Sequence, residues 1–307
     1  MYKEPEITRK FLSEIPNHIE RLDYEQVKKL CNSMLPAIPV QVVDFNNEKF
    51  FFNQHELGGF NGIYRAREIT NPKNTPYKTV SEISYIPENL KHKLTDFGRA
   101  NKPCEPMFYG SLNYATACTE AITNAHDFLS KGSTMMTVGK WIFEKPLTLV
   151  QLPYSEKVFK KFYETVNFKS EKIQLEHIEK INAESRQYFR SDIEFEVLNF
   201  FADEFAKFDN EKEHKYKISN YYTDRIFNRI PGFELPLDID GIIYPSISLS
   251  YQEKNIVLKP DVIDTKLRFS DAMQVWVVSH KDNGGGGEFI PIEQGVRADK
   301  DGNLNWR

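Results

Sequence analysis

Two arginine-bearing segments carry the side chains best suited to hold an anion. Tyr64-Arg65-Ala66-Arg67 places two arginines two positions apart, and side chains with that spacing share one face of a β-strand. Gly98-Arg99-Ala100-Asn101-Lys102 forms a second basic segment, ahead of the aromatic Phe108-Tyr109 pair. A guanidinium presents its N–H groups as a fork that binds two phosphate oxygens at once. Taken singly, the first segment is more typical of an exposed strand with charged edges, and the second is typical of an ordinary loop and strand.

A glutamate and a serine stand at two further positions that could take part in chemistry. Glu120 lies in a stretch with helical periodicity, where we place it on the polar side together with Thr116. By pattern alone it is a surface glutamate. Ser246 follows the apolar segment Asp240–Pro245 and by itself indicates only the end of a strand.

The sequence patterns of several enzyme classes are missing. The seven histidines form no HExxH, and neither a GxSxG elbow, a GxxxxGK[ST] loop nor a GxGxxG after a strand occurs. Cys31, Cys104 and Cys118 form no CxxC pair, so we expect no disulfide framework and no structural zinc. We interpret Cys104 and Cys118 as small buried side chains rather than as partners of His126.

Predicted helices and strands must position these residues. Asp23 is expected to cap a helix over Tyr24–Met34, and Asn113 a helix over Tyr114–Lys131. Strands are predicted at Val40–Val43, Phe50–Phe52, Tyr64–Arg67, Met135–Phe143, Leu147–Leu152, Asp240–Ser246, Asn255–Leu258 and Gln274–Val278.

A stretch rich in lysine, glutamate and phenylalanine separates two halves of the chain. From Ser155 to about Ile230, apolar residues recur at helical spacing and the charges fit a solvated face, which predicts a helical insertion. The clearest apolar stripe consists of Ile193, Val197, Phe200, Phe201 and Phe205. Near the C-terminus, we predict a hairpin loop at Gly284–Gly287 and a polar turn, rather than a calcium loop, at Asp299–Asn303.

The composition is that of an ordinary globular protein. The 307 residues carry a formal charge of −4, and 40% are hydrophobic and 27% charged, which excludes collagen, a disordered chain and a strongly basic nucleic-acid binder. The 23 Phe, 15 Tyr and 3 Trp allow a sizeable core. Because the first residues lack a signal-peptide core and no apolar run approaches ~20 residues, we expect a cytoplasmic protein without a membrane segment.

Five motifs, in this order, resemble the RES domain, a family named for its Arg, Glu and Ser. They are Tyr-Arg-Ala-Arg at 64–67, Gly-Arg-Ala-Asn-Lys-Pro at 98–103, Phe-Tyr-Gly-Ser at 108–111, Thr-Glu-Ala-Ile at 119–122 and Asp-Gly-Ile-Ile-Tyr-Pro-Ser at 240–246. Asn255–Pro260 is similar to the stretch that follows the family's serine. Two features differ from the family: the helical insertion, and Ala100 where an aromatic residue often stands.

The resemblance implies an α+β fold with an ADP-ribosyltransferase-like split β-sheet core and a helical insertion. The corresponding division of the chain is an N-terminal helical and extended segment at 1–45, the first half of the RES core at 46–154, the insertion at 155–232, and the second half with C-terminal strands at 233–307.

The resemblance also implies an enzyme that cleaves the nicotinamide–ribose bond of NAD. Carried over position by position, Glu120, Arg65 and Ser246 are catalytic, and Arg65, Arg99, Tyr109 and Ser246 bind NAD. NAD is a substrate, and neither a cofactor nor a metal is expected. Known members are commonly toxins, so the implied partners are NAD, inorganic phosphate and a helix-turn-helix antitoxin, without nucleic acid or membrane.

These residue types suit that reaction. The cationic nicotinamide leaves as a neutral amine and needs no general acid, whereas the oxocarbenium-like transition state needs nearby negative charge. Glu120 would supply it, Arg65 and Arg99 would hold the pyrophosphate, and Tyr109 would lie against the nicotinamide. Three functions remain open: an NAD glycohydrolase or phosphorylase, an ADP-ribosyltransferase acting on a protein, and a non-enzymatic binding module.

Overall fold

The computed structural model describes residues 4–45, 62–70, 75–122, 128, 130–160, 171–206, 216–227, 238–246, 253–279 and 287–307. The helices are α1 Pro5–His18, α2 Tyr24–Met34, α3 Val80–Ile83, α4 Tyr114–Ala121, α5 Glu171–Arg186, α6 Asp192–Ala206, α7 Lys217–Phe227 and α8 Pro260–Lys266. The strands are β1 Gln41–Phe45, β2 Ile63–Glu68, β3 Phe108–Ser111, β4 Ser133–Phe143, β5 Leu147–Gln151, β6 Gly241–Pro245, β7 Lys254–Leu258, β8 Leu267–Ser279 and β9 Gly287–Val296. The fold mixes helices with strands, as expected for the α+β class.

The chain forms two compact units, each built from separate stretches of sequence. The helical unit consists of Met1–Val43, Lys91–Glu105 and Thr148–Ile247. The sheet unit consists of Asp44–Leu90, Pro106–Leu147 and Ser248–Arg307. Within the part of the chain that the structure describes, no helix has the length and apolar character needed to cross a membrane.

The sheet unit is built on six antiparallel strands in the order β7-β3-β2-β4-β8-β9. One face of this sheet packs against α4, where Ala66, Val138 and Val275 from the strands meet Ala117 and Cys118 from the helix. Burial of these side chains removes apolar area from water and fixes α4 on the sheet.

The other face of the six-stranded sheet holds short helix α3. At Gly139 of β4, an added Cβ would lie 2.7 Å from the Trp141 ring and 2.8 Å from the Ile83 side chain. Trp141 also meets Phe108 edge to face, with ring centroids 4.9 Å apart. A larger side chain at position 139 would therefore force these aromatic and aliphatic groups apart.

The helical unit is assembled around the buried stripe of α6. Ile193, Val197, Phe201 and Phe205 are buried there, as the periodicity predicts. The Phe201 ring lies 4.6 Å from that of Tyr222 on α7. In the same unit, β5 and β6 pair in parallel, and β1 precedes β5 in the strand order.

Several sequence predictions about local structure are confirmed. Helix α2 begins and ends at the predicted residues, and the Asp23 carboxylate accepts a bond from the Gln26 N–H while the Gln26 side chain accepts from the Asp23 N–H. The Asp299–Asn303 segment is a polar turn in which Asp299 accepts from the Asp301 and Asn303 N–H groups. The predicted Phe50–Phe52 strand and most of the Gly284–Gly287 loop lie outside the described residues.

The prediction of one continuous helix over Tyr114–Lys131 is wrong. Asn113 does cap α4, since its side chain accepts from the Ala115 N–H, but the helix ends at Ala121. Ile122 has an extended backbone, with φ −67° and ψ 108°. The apolar residues continue at helical spacing beyond this point, so the interruption is imposed by packing on the sheet rather than by a local breaking residue.

Candidate functional site

Arg65 ties two strands of the sheet unit together through its guanidinium. β2 and β3 pair at Tyr64 and Ser111 only. Beyond that pair, Arg65 Nη1 donates to the Tyr109 carbonyl over 2.6 Å and Nε donates to the Ser84 carbonyl over 3.2 Å. The guanidinium therefore stands where strand–strand hydrogen bonds would otherwise run, and it holds the backbone that presents Tyr109.

Arg67 adds a second cation beside the first. Its Nη2 donates to the same Ser84 carbonyl over 3.1 Å, which confirms that Arg65 and Arg67 share one face of the strand. Burial and the neighbouring Arg67 charge lower the pKa of Arg65 to about 9, and burial lowers the pKa of Arg67. With a pKa of about 9, Arg65 stays protonated at neutral pH. Among the residues with described positions, no carboxylate forms an ion pair with either arginine.

Glu120 is oriented by two buried polar side chains. It stands one residue before the end of α4 and is exposed, yet its Oε1 accepts a bond of 2.8 Å from Asn255 Nδ2 on β7. Asn255 Oδ1 in turn accepts a bond of 2.7 Å from the Ser111 hydroxyl on β3. Asn255 is 3% and Ser111 2% exposed, so an interior hydrogen-bond chain ends at a carboxylate on the surface.

The strand register decides which of the predicted site residues share a face. Tyr64, Ser111 and Asn255 are cross-strand partners and project to the same side. Tyr109 stands two residues from Ser111, so its side chain also projects to that side, about 7 Å along the strand. The structure thus brings the Tyr109 side chain and Glu120 to one face.

Arg65 and Arg67 alternate with those residues along β2 and project to the opposite face. The Arg65 guanidinium accordingly lies over the Phe108 ring, 5.5 Å from its centroid. Arg65 therefore reaches Tyr109 through the strand backbone, and its side chain does not lie beside Glu120.

The prediction that Thr116 and Glu120 occupy one polar side of the helix is wrong. Thr116 is fully buried, together with its neighbours Ala117 and Cys118, whereas Glu120 is exposed. The short helix buries three consecutive residues, which is a wider arc than one apolar stripe.

Arg99 and Ser246 belong to the helical unit. The Arg99 guanidinium donates to the Phe205 carbonyl at the C-terminal end of α6 and lies 5.5 Å from the centroid of the Tyr216 ring. A cation is favoured at a helix C-terminus because the last carbonyls carry partial negative charge. Ser246 directly follows β6 and is fully buried.

The cysteines divide into two kinds. Burial raises the pKa of Cys31 and of Cys118 to about 12, so neither thiol forms a nucleophilic thiolate near neutral pH. Cys104 is exposed, with a positive φ of 61°, so the expectation that it is buried is wrong. His126 lies outside the described residues. No cluster of His, Cys, Asp or Glu side chains suited to a metal occurs among the placed residues.

Ser111 and Asn255 are two residues of this site for which the sequence predicted no role. Both were part of matched motifs, Phe-Tyr-Gly-Ser and Asn-Ile-Val-Leu-Lys-Pro. A polar residue at the end of an otherwise apolar strand is the signal that could have singled them out, because a buried polar side chain requires a partner.

No protein-family model matches this chain, and no curated protein sequence matches it. The chemistry of the residues themselves, and the motif resemblance, are therefore the basis for a functional proposal.

Proposed function

We propose that this chain is an NAD-degrading enzyme that cleaves the bond between nicotinamide and ribose, with water or inorganic phosphate as the acceptor. The observation that carries the proposal is the Glu120 carboxylate, which is exposed to solvent and yet held in one orientation by the buried Asn255 amide. A fixed negative charge is what an oxocarbenium-like centre requires, because no reorganisation is needed at the moment of reaction.

The proposed reaction needs few groups from the protein. The bond from ribose C1′ to the nicotinamide nitrogen breaks, and its electron pair stays on the nicotinamide, which leaves neutral. Glu120 stabilises the positive charge that develops on the ribose. A water oxygen or a phosphate oxygen then bonds to C1′; with water, the released proton goes to solvent. The products are nicotinamide and ADP-ribose, or nicotinamide and phosphorylated ADP-ribose.

The other motif residues take supporting parts in the proposal. The Tyr109 ring, on the same face as Glu120, would lie against the cationic nicotinamide. Arg65 supports the reaction by fixing the Tyr109 backbone from the opposite face. The assignment of Arg99 to the pyrophosphate, and of Ser246 to a ribose or phosphate oxygen, rests on the motif resemblance. Action as a cytoplasmic toxin with a helix-turn-helix antitoxin belongs to the same proposal.

Replacing Glu120 tests the proposal directly. Glu120→Gln keeps the size of the side chain and removes the charge, so turnover of NAD should fall on the order of 10²–10³-fold while NAD binding changes little. Release of nicotinamide from purified protein measures turnover. Glu179→Gln, at an exposed glutamate of α5, is the matched control and should keep wild-type turnover. Near wild-type turnover in folded Glu120→Gln would remove Glu120 from the mechanism.

The identity of the acceptor separates the remaining functions. With NAD alone, a hydrolase yields free ADP-ribose, and added phosphate diverts the product if the enzyme is a phosphorylase. The exposure of Glu120 also leaves space for a protein acceptor, so a transferase would release nicotinamide only when a target protein is present. A binding module would release none under any of these conditions, and that result would overturn the proposal.

A further inference from the structure

We propose that Asn255 is a positioning residue whose amide, itself anchored by Ser111, sets the direction of the Glu120 carboxylate. The consequence for turnover rests on the proposed function, whereas the coupling of the three side chains does not. The inference deepens the assignment of Glu120, since it names the groups through which the fold controls this carboxylate.

Hydrogen-bond chemistry fixes the order of the three groups. An ionised carboxylate only accepts, so the Asn255 side chain must turn its nitrogen toward Glu120, at 2.8 Å. Its oxygen then faces Ser111, whose hydroxyl donates over 2.7 Å. With the amide reversed, two oxygens would face each other at Glu120. The carboxylate therefore selects the orientation of the amide, and the Ser111 hydroxyl, which can donate or accept, anchors the amide by donating to its oxygen.

The position of Asn255 makes this orientation rigid. Asn255 and Ser111 are register partners on neighbouring strands, so both backbones are held by the β3–β7 ladder. The residues that follow Asn255, Ile256 to Leu258, are fully buried. Since both polar side chains are themselves buried, little water competes for their hydrogen bonds, and the chain is stronger than it would be at the surface.

Substitutions at Ser111 and Asn255 test the proposal through turnover. Ser111→Ala removes the hydroxyl that anchors the amide, and Asn255→Asp replaces the donor to Glu120 with a second carboxylate. Each should lower kcat on the order of 10–100-fold and leave KM within about twofold, because the carboxylate is misplaced while NAD still binds. Ser111→Thr keeps the hydroxyl and should retain most of kcat.

A double substitution separates orientation from charge. In Glu120→Gln with Asn255→Asp, the new amide donates to the new carboxylate, so the hydrogen bond returns with its direction reversed. Asn255→Asp alone should lower Tm by roughly 3–10 °C. The decrease in Tm of the double variant should be much smaller than the sum of the decreases caused by the two single substitutions. Its kcat should stay as low as that of Glu120→Gln, since the charge now stands at position 255.

Asn182 provides a matched control in the helical unit. It is also 3% exposed, and its Nδ2 donates to Glu156 Oε1 over 3.1 Å. Asn182→Asp should lower Tm to a similar extent while kcat and KM stay at wild-type values. If kcat fell as much in Asn182→Asp as in Asn255→Asp, a general loss of stability would explain the effect at Asn255. That result would overturn the proposal.

The Tm values of wild type, the two single variants and the double variant test the coupling between Asn255 and Glu120 even if the wild-type protein does not turn over NAD. That outcome would overturn the proposed function. A double variant more stable than additivity predicts would then still support the coupling between Asn255 and Glu120, and strictly additive Tm values would overturn it. Unchanged kcat in folded Asn255→Asp and Ser111→Ala, with an active wild-type enzyme, would equally exclude a positioning role.

Discussion

Arg65 illustrates how a single side chain can replace part of a strand interface. Its guanidinium bonds to the carbonyls of Tyr109 and Ser84 at once, in a half-buried position beside a second arginine. A planar fork can serve two acceptors in fixed directions, whereas an ammonium group is a point donor on a flexible stem. The residue therefore combines a charge with a structural role that only arginine provides.

Arg65→Lys should lower the free energy of unfolding by about 1–3 kcal/mol, because at least one buried carbonyl loses its partner. Chemical denaturation measures the change. Arg268→Lys is the matched control: Arg268 pairs with Glu144 on an exposed surface, and its replacement should change stability by no more than about 0.5 kcal/mol. Equal effects of the two substitutions would contradict the bridging role of Arg65.

At the scale of elements, helix α4 carries Glu120 and depends on its N-terminal cap. The Asn113 side chain accepts from the Ala115 N–H over 2.8 Å and satisfies one of the first backbone donors. Asn113→Ala should therefore cost about 1 kcal/mol of stability, measured by thermal or chemical denaturation, and Asn113→Asp should retain most of it. If Asn113→Asp destabilised the protein as much as Asn113→Ala, capping would not explain the role of Asn113.

The elements also show which features a sequence can predict and why it cannot predict the others. The caps at Asp23 and Asn113 are local, since each donor lies within three residues of its acceptor, and both were predicted. The end of α4 at Ala121 was not, because the periodicity continues while tertiary packing makes Ile122 extended. Likewise, the pattern of β2 predicts that two arginines share one face of the strand, but it cannot predict that Glu120 lies at the opposite face of the sheet. That fact depends on a register between strands far apart in sequence.

At the scale of the whole molecule, each unit contains one buried thiol that titrates far above its usual range. Burial raises the pKa of Cys31 and of Cys118 to about 12. In the unfolded chain a thiol ionises near pH 8.5–9. Below that range both states are protonated and the thiols do not affect stability; above it only the unfolded state releases protons, so stability falls as pH rises.

At pH 10, each buried thiol should therefore lower the free energy of unfolding by about 1.5–2 kcal/mol relative to pH 7. Denaturation at both pH values measures this loss. In Cys118→Ala, the loss of unfolding free energy between pH 7 and pH 10 should be smaller by the contribution of one thiol. The variant itself should be less stable than wild type at every pH. The control is Cys104→Ala, at the exposed cysteine, which should leave the loss unchanged. Identical losses in wild type and Cys118→Ala would contradict the assignment.

The pairing of β3 with β7 has a consequence for how the protein is made. Ser111 and Asn255 are 144 residues apart, and a ribosome that adds about 5–20 residues per second takes roughly 7–30 s to cover that distance. Throughout this interval, the apolar strand that carries Phe108 and Tyr109 exists without its β7 neighbour. The nascent chain is thus exposed to aggregation and to chaperone binding for many seconds, and Glu120 acquires its orienting amide only after Asn255 has been synthesised.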